Sequence, residues 1–214
     1  MSGPQCCSHP PTLDPSSGAG HVVQLGGLGS YVAGSADSKL AVLIISDIFG
    51  YEAPNLRKVA DKVAAAGFYA DHGTDKGFEE AKAVIEALKS QGVLAVGAAG
   101  YCWGAKVTVE LGKCELIQAG VLLHPAWVTV DDIKGVKVPT AILGAEIDDF
   151  APPELLKQFE EVFTAKPGVD SYVKVFPNVE HGWTIRYNVE DDAAVKSAEE
   201  ANQILLDWCV KYVK

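Results

Sequence analysis

The run Leu40–Ser46 (LAVLIIS) is continuously apolar and β-branched, the pattern of a strand buried on both faces of a parallel sheet. Upstream, His21–Leu25 and Ser30–Ala33 are short β-branched stretches separated by Gly26-Gly27, which predicts a β-hairpin. Downstream the period changes. Asn55–Ala66 places Leu56, Val59, Ala60 and Val63 on one stripe, with Gly67 as a stop, which predicts an amphipathic helix. The alternation then repeats: a helix over Phe78–Lys89, a strand Val93–Ala99, a helix Trp103–Leu111, strands Gly120–Leu123 and Thr140–Leu143, a helix Pro153–Phe163, a strand Val173–Phe176 and a final helix Ala193–Val213. Ala194, Ala198, Ala201, Leu205, Trp208 and Tyr212 recur every three or four residues on that last helix, so it is expected to pack flat on the sheet. This βαβα order predicts an α/β fold, a mostly parallel sheet with helices on both faces. No repeat or linker interrupts it, and residues 1–214 read as one domain with an irregular Pro-, Ser- and Gly-rich lead-in over 1–20.

One connection breaks the rhythm. Between the helix ending near Gly67 and the helix beginning near Gly77 only Phe68-Tyr69-Ala70 is apolar, before the polar run Asp71-His72-Gly73-Thr74-Asp75-Lys76. Three residues are too few for the buried strand that a crossover helix feeds. The pattern therefore predicts either a stub strand or two consecutive helices.

Composition narrows the function classes. The chain has 214 residues, 48% of them hydrophobic, and a formal net charge of −10, which describes a globular chain with a core of its own. Lys and Arg form no cluster, so no nucleic-acid partner is expected. No apolar run reaches the ~18 residues of a membrane span and no secretory signal precedes the lead-in, so the expectation is a cytoplasmic protein away from membranes. Cysteines 6, 7, 102, 114 and 209 make an odd set without framework spacing, which fits free thiols in a reducing compartment. Cys6-Cys7 with His9 lacks a second pair at ligand spacing and reads as a capping or mobile segment; no metal is expected. Gly26-Gly27-Leu28-Gly29 does not complete a dinucleotide fingerprint and Gly100–Lys106 is no P-loop, so no organic cofactor is expected either.

The chemistry concentrates in Gly100-Tyr101-Cys102-Trp103-Gly104, a G-x-C-x-G form of the nucleophile elbow, in which a sharp strand-to-helix turn presents the nucleophile. A thiol at a helix N-terminus is favoured as thiolate by the free N–H groups and the helix dipole. The Trp103 N–H is placed to hold a developing oxyanion, with a second donor expected from Ile48 in the loop after the first buried strand. The base is expected to be His181, in the loop after the strand Val173–Phe176, with His124 as its rival at another strand end. Glu146, Asp148 and Asp149 compete as the orienting acid, Asp149 also reading as a helix cap. The order Cys102, Asp148, His181 fits the nucleophile–acid–histidine template.

Taken together, SDIFG at 46–50, GYCWGAK at 100–106, GAEIDDFAPPE at 144–154 and HGWTIRY at 181–187 resemble the dienelactone hydrolase family of α/β-hydrolases, most closely its plant members. The resemblance implies a Cys102–Asp148–His181 catalytic set. In bacterial members a glutamate before I-F-G interacts with the resting thiol, and here Asp47 stands there. An arginine after the histidine binds the substrate carboxylate, and Arg186 lies one position out of register. Family members also continue after the Ala70 region through a full strand and a long loop. This chain lacks that stretch, on the order of 25 residues by comparison with a full crossover, which implies a truncated or alternatively spliced form without one central strand.

Three functional expectations follow. The leading one is a cysteine-dependent hydrolase of small esters or lactones, monomeric or homodimeric. Some plant proteins of this kind are described as endo-1,3;1,4-β-glucanases, which is the second. The third is a shortened isoform of impaired activity, destabilised by the exposed edges that a lost strand leaves.

Overall fold

The computed structural model describes residues 4–73 and 77–214; Thr74, Asp75 and Lys76 of the short connection lie outside them. A 3-10 turn over Pro4–Cys7 opens the described chain. Strands β1 (His21–Leu25) and β2 (Leu28–Ala33) form the expected hairpin. The alternation continues with β3 (Leu40–Ile45), α1 (Pro54–Ala65), β4 (Tyr69–Gly73), α2 (Phe78–Ser90), β5 (Ala95–Tyr101), α3 (Trp103–Lys113) and β6 (Ala119–Leu123). It ends with α4 (Val130–Gly135), β7 (Thr140–Ile147), α5 (Pro153–Thr164), β8 (Ser171–Glu180) and α6 (Asp192–Tyr212). The short α4 carries no apolar periodicity long enough to read, and a Thr129–Asp132 capping box starts it.

The eight strands form one sheet in the order β1-β2-β4-β3-β5-β6-β7-β8. From β4 to β8 all neighbours run parallel, and β1 and β2 close one side antiparallel. The strand expected to be lost is therefore present. Tyr69–Gly73 pairs in parallel with β3 and antiparallel with β2, because the polar residues Asp71, His72 and Gly73 continue the ladder that Tyr69 and Ala70 begin. A β ladder is made by backbone N–H and C=O groups, so a stub of apolar sequence becomes a strand once its neighbours offer both edges.

The period-2 alternation of each central strand feeds two cores. Ala41, Leu43 and Ile45 of β3 join Val84 and Leu88 of α2, Leu111 of α3 and Phe159 of α5 on one face. Val42 and Ile44 join Leu56 and Val63 of α1 and Ala201 and Leu205 of α6 on the other. This arrangement, helices on both faces, is the expected one; the stripe read on α1 is buried, and of the α6 stripe Ala198, Ala201 and Leu205 are buried while Ala194, Trp208 and Tyr212 are half-buried and Asn202 and Cys209 join the buried face. The lead-in is irregular but fastened: the Arg57 guanidinium donates to the carbonyls of Pro15 and Ser17, and Asp14 N–H to Glu52 C=O. Among the described residues no helix is long and apolar enough to cross a membrane.

Candidate active site

Because β3 and β5 to β8 run in one direction, their C-terminal ends share a rim, where open α/β sheets carry their ligands. The residues immediately following these strands are Ser46, Cys102, His124, Asp148 and His181, and all five are buried. The sheet thus gathers residues spread over more than half of the chain.

Cys102 stands at the turn from β5 into α3 with φ 55° and ψ −118°, a positive φ that a non-glycine residue holds only when its surroundings enforce it. The surroundings are close. A Cβ on Gly100 would fall 2.2 Å from the Gly104 carbonyl oxygen, and one on Gly104 would fall 2.4 Å from that of Ile45. Cys102 N–H donates to Leu123 C=O at 3.1 Å, and Ala126 N–H donates to Cys102 C=O at 3.0 Å, which pins the turn to the end of β6. The Trp103 N–H lies against the Cys102 sulfur and lowers its pKa, the geometry expected of an elbow. That donor is outweighed. Burial, followed by Cys6 and the Asp47 charge, pushes the Cys102 thiol well up, so the resting group is a thiol and not the thiolate that the helix N-terminus alone would favour.

Asp148 and His181 meet directly. Asp148 Oδ2 lies 2.7 Å from His181 Nδ1, both side chains fully buried. Asp148 Oδ1 accepts from Phe150 N–H at 2.9 Å, so the carboxylate is held by its own loop while it holds the ring. Asp149, the competing acid, is exposed, and the Glu146 carboxylate accepts from Asn178 N–H at 2.7 Å. His181 Nε2 is buried and has no hydrogen-bond partner among the described residues. Cys102 Sγ, a His181 ring nitrogen and Cys6 Sγ lie within 4.8 Å of one another. His124, the rival histidine, bonds through Nδ1 to Thr184 Oγ1 at 3.1 Å and packs edge-on against the His181 ring at 5.0 Å. Burial lowers its pKa well below the ordinary imidazole value, so a neutral ring backs His181.

Two further candidates meet each other. Asp47 Oδ1 accepts from Phe49 N–H at 3.0 Å, which is a turn cap, and Oδ2 lies 3.5 Å from Arg186 Nε. The Arg186 guanidinium also donates to the carbonyls of Cys6 at 2.6 Å, Ser8 at 3.1 Å and His181 at 3.2 Å. It therefore ties the N-terminal segment to the rim. Ile48 is partly buried against Cys6 and Cys102.

Cys6 is the residue whose contact with Cys102 the sequence did not show. It caps the site, as one of the two readings of its segment allowed, and its Sγ lies 3.4 Å from that of Cys102 with both residues fully buried. Gln5 adds a tether, its Oε1 accepting from Asp149 N–H at 2.7 Å. No spacing in the sequence signals a contact across 96 positions.

A model of the dienelactone hydrolase family matches residues 28–73 and 70–213. The two matches share residues 70–73. A maize protein named endo-1,3;1,4-beta-D-glucanase is 41% identical over 186 residues, 74% of this chain, and the chain spans only 61% of that relative's length. A carboxymethylenebutenolidase homolog of Xenopus tropicalis is 31% identical, covering 91% of both chains. That alignment runs over 224 residues against the 214 of this chain, so the frog protein carries residues without a counterpart here. The crystal structure of a putative dienelactone hydrolase from Klebsiella pneumoniae superposes with a TM-score of 0.70 at 19% identity, covering 86% of this chain and 93% of that one. The motifs, the strand order and these matches place the chain in the dienelactone hydrolase family of α/β hydrolases.

Proposed function

We propose that the chain hydrolyses small esters or lactones with Cys102 as nucleophile, His181 as base and Asp148 as the residue that orients the imidazole. The observation that carries this reading is the buried 2.7 Å contact between Asp148 and His181 Nδ1 beside a cysteine at a strained elbow. With Nδ1 engaged, Nε2 is the nitrogen free to accept the thiol proton as sulfur attacks the carbonyl carbon. Because the thiol is raised, proton transfer accompanies attack, and no stored thiolate is needed. The new oxyanion is held by the Trp103 N–H, with Ile48 N–H as second donor. Collapse expels the alkoxide, which takes the proton from His181, and water then cleaves the thioester by the same base. A lactone gives a hydroxy acid in this way.

Cys102→Ala is expected to reduce turnover of an activated phenyl ester to the uncatalysed background, and Asp148→Asn to lower kcat on the order of 10³–10⁴-fold through the wrong tautomer. Retained turnover in Cys102→Ala overturns the assignment. The maize relative's name favours a second reading, hydrolysis of mixed-linkage glucan. Glycoside hydrolysis needs two carboxylates across the scissile bond. On this rim Asp148 is engaged by His181 and Asp47 is paired with Arg186, which supports the ester reading. Release of reducing ends from such a glucan, surviving in Cys102→Ala, would reverse that preference.

A further inference from the structure

Three soft donor atoms converge beneath the N-terminal turn. Cys6 Sγ and Cys102 Sγ are 3.4 Å apart, and a His181 ring nitrogen lies within 4.8 Å of both. In a tetrahedral site with zinc–sulfur bonds of about 2.3 Å and zinc–nitrogen bonds of about 2.0–2.1 Å, neighbouring ligand atoms stand roughly 3.5–3.8 Å apart. The sulfurs therefore need to part by only a few tenths of an ångström. Two further observations point to a cation. His181 Nε2 is buried without a hydrogen-bond partner among the described residues, and the opposite nitrogen is bonded to the Asp148 carboxylate. Metal-bound histidines are typically held by this carboxylate–imidazole arrangement, which fixes the tautomer and raises ligand basicity.

We propose that Cys6, Cys102 and His181 form a site for a thiophilic divalent cation, Zn²⁺ in the first instance, in which Cys6 supplies the second sulfur. A cysteine enters such a site as thiolate and gives up its proton on binding. Binding replaces the two thiol protons by one dication, M²⁺ + 2 RSH giving M(SR)₂ + 2 H⁺, with neutral imidazole as third ligand. The buried assembly is then uncharged, which avoids the cost of an isolated buried thiolate. Thiolate ligands select zinc and cadmium over magnesium and calcium. The cation is an inhibitor rather than a cofactor. It occupies the sulfur lone pair and the imidazole nitrogen that turnover requires, and this consequence rests on the function proposed above, whereas binding does not.

The test uses the full chain carrying Cys7→Ala and Cys114→Ala, which remove the exposed thiols, kept reduced with a phosphine. Cadmium is titrated while the thiolate-to-metal ultraviolet absorption is followed, and zinc is titrated against a chromophoric chelator. The expected result is one cation with the absorption of two thiolates. Cys6→Ser is expected to halve that absorption and to weaken zinc at least tenfold, and Asp148→Asn to weaken zinc about 10–100-fold. Absence of the two-thiolate absorption overturns the proposal in the background protein alone, so it stays falsifiable if Cys6→Ser does not fold. Unchanged affinity and intensity in folded Cys6→Ser also overturns it. Two-thiolate binding with undiminished ester turnover upholds the cation site and removes Cys102 from the reaction instead.

Discussion

At the scale of single residues, three buried thiols share one electrostatic condition. Burial raises Cys6, Cys102 and Cys209, the last to about 12. An unfolded thiol ionises near 9, so above that pH the folded chain holds more protons than the unfolded one, and stability falls as pH rises. Below pH 9 nothing is lost. Between pH 9 and about 12, Cys209 alone contributes a fall of about 1.4 kcal/mol per pH unit. Cys209→Ala is expected to flatten the decline of Tm between pH 9 and 11 relative to the unaltered chain, read by circular dichroism melts; parallel slopes would count against a raised Cys209. That Cys102, Asp148 and His181 stand on one rim was legible in the sequence, because each belongs to a loop or turn that follows a strand of the parallel sheet. Cys6 was not legible, since its place depends on Arg186 gripping the carbonyls of Cys6 and Ser8, and carbonyl acceptors leave no trace in residue type.

Among the elements, the β5–α3 elbow is held by backbone rather than by side chains. Its glycines are there because the Gly104 carbonyl and the end of β3 leave no room for a Cβ. Gly104→Ala is expected to cost about 3 kcal/mol, a drop of roughly 6–12 °C in Tm for a chain of this size, together with lost ester turnover; a wild-type melt would overturn this packing account. Gly67→Ala, where a Cβ meets nothing within 4 Å, tests positive φ without a clash and is expected to cost less. The strongly periodic segments, β3, α1, α2 and α6, fall within a residue or two of their expected bounds. At β4 pattern reading left a stub strand and two consecutive helices open, and the short strand is what forms; hydrophobicity reports where side chains go, whereas a ladder is made by main-chain groups and accepts Asp71-His72-Gly73 as readily as an apolar run.

For the molecule as a whole, the order β1-β2-β4-β3 has a consequence for how the chain assembles. Among the described residues the β1–β2 hairpin joins the hydrogen-bonded sheet through β4 alone, by the pairs Tyr31 with His72, Val32 with Asp71 and Ala33 with Ala70; side-chain contacts such as Tyr31 to Asp61 are further moorings. A hairpin can close by itself in microseconds, but this one has no docking edge until α1 has carried the chain back and β4 has settled beside β3. Refolding followed by pulsed amide exchange is therefore expected to protect β3 and β5 first and β1 and β2 later, and simultaneous protection would contradict that order. β4 is thus the latch between an early-forming half of the sheet and a late one. A change there is expected to delay the capture of the hairpin.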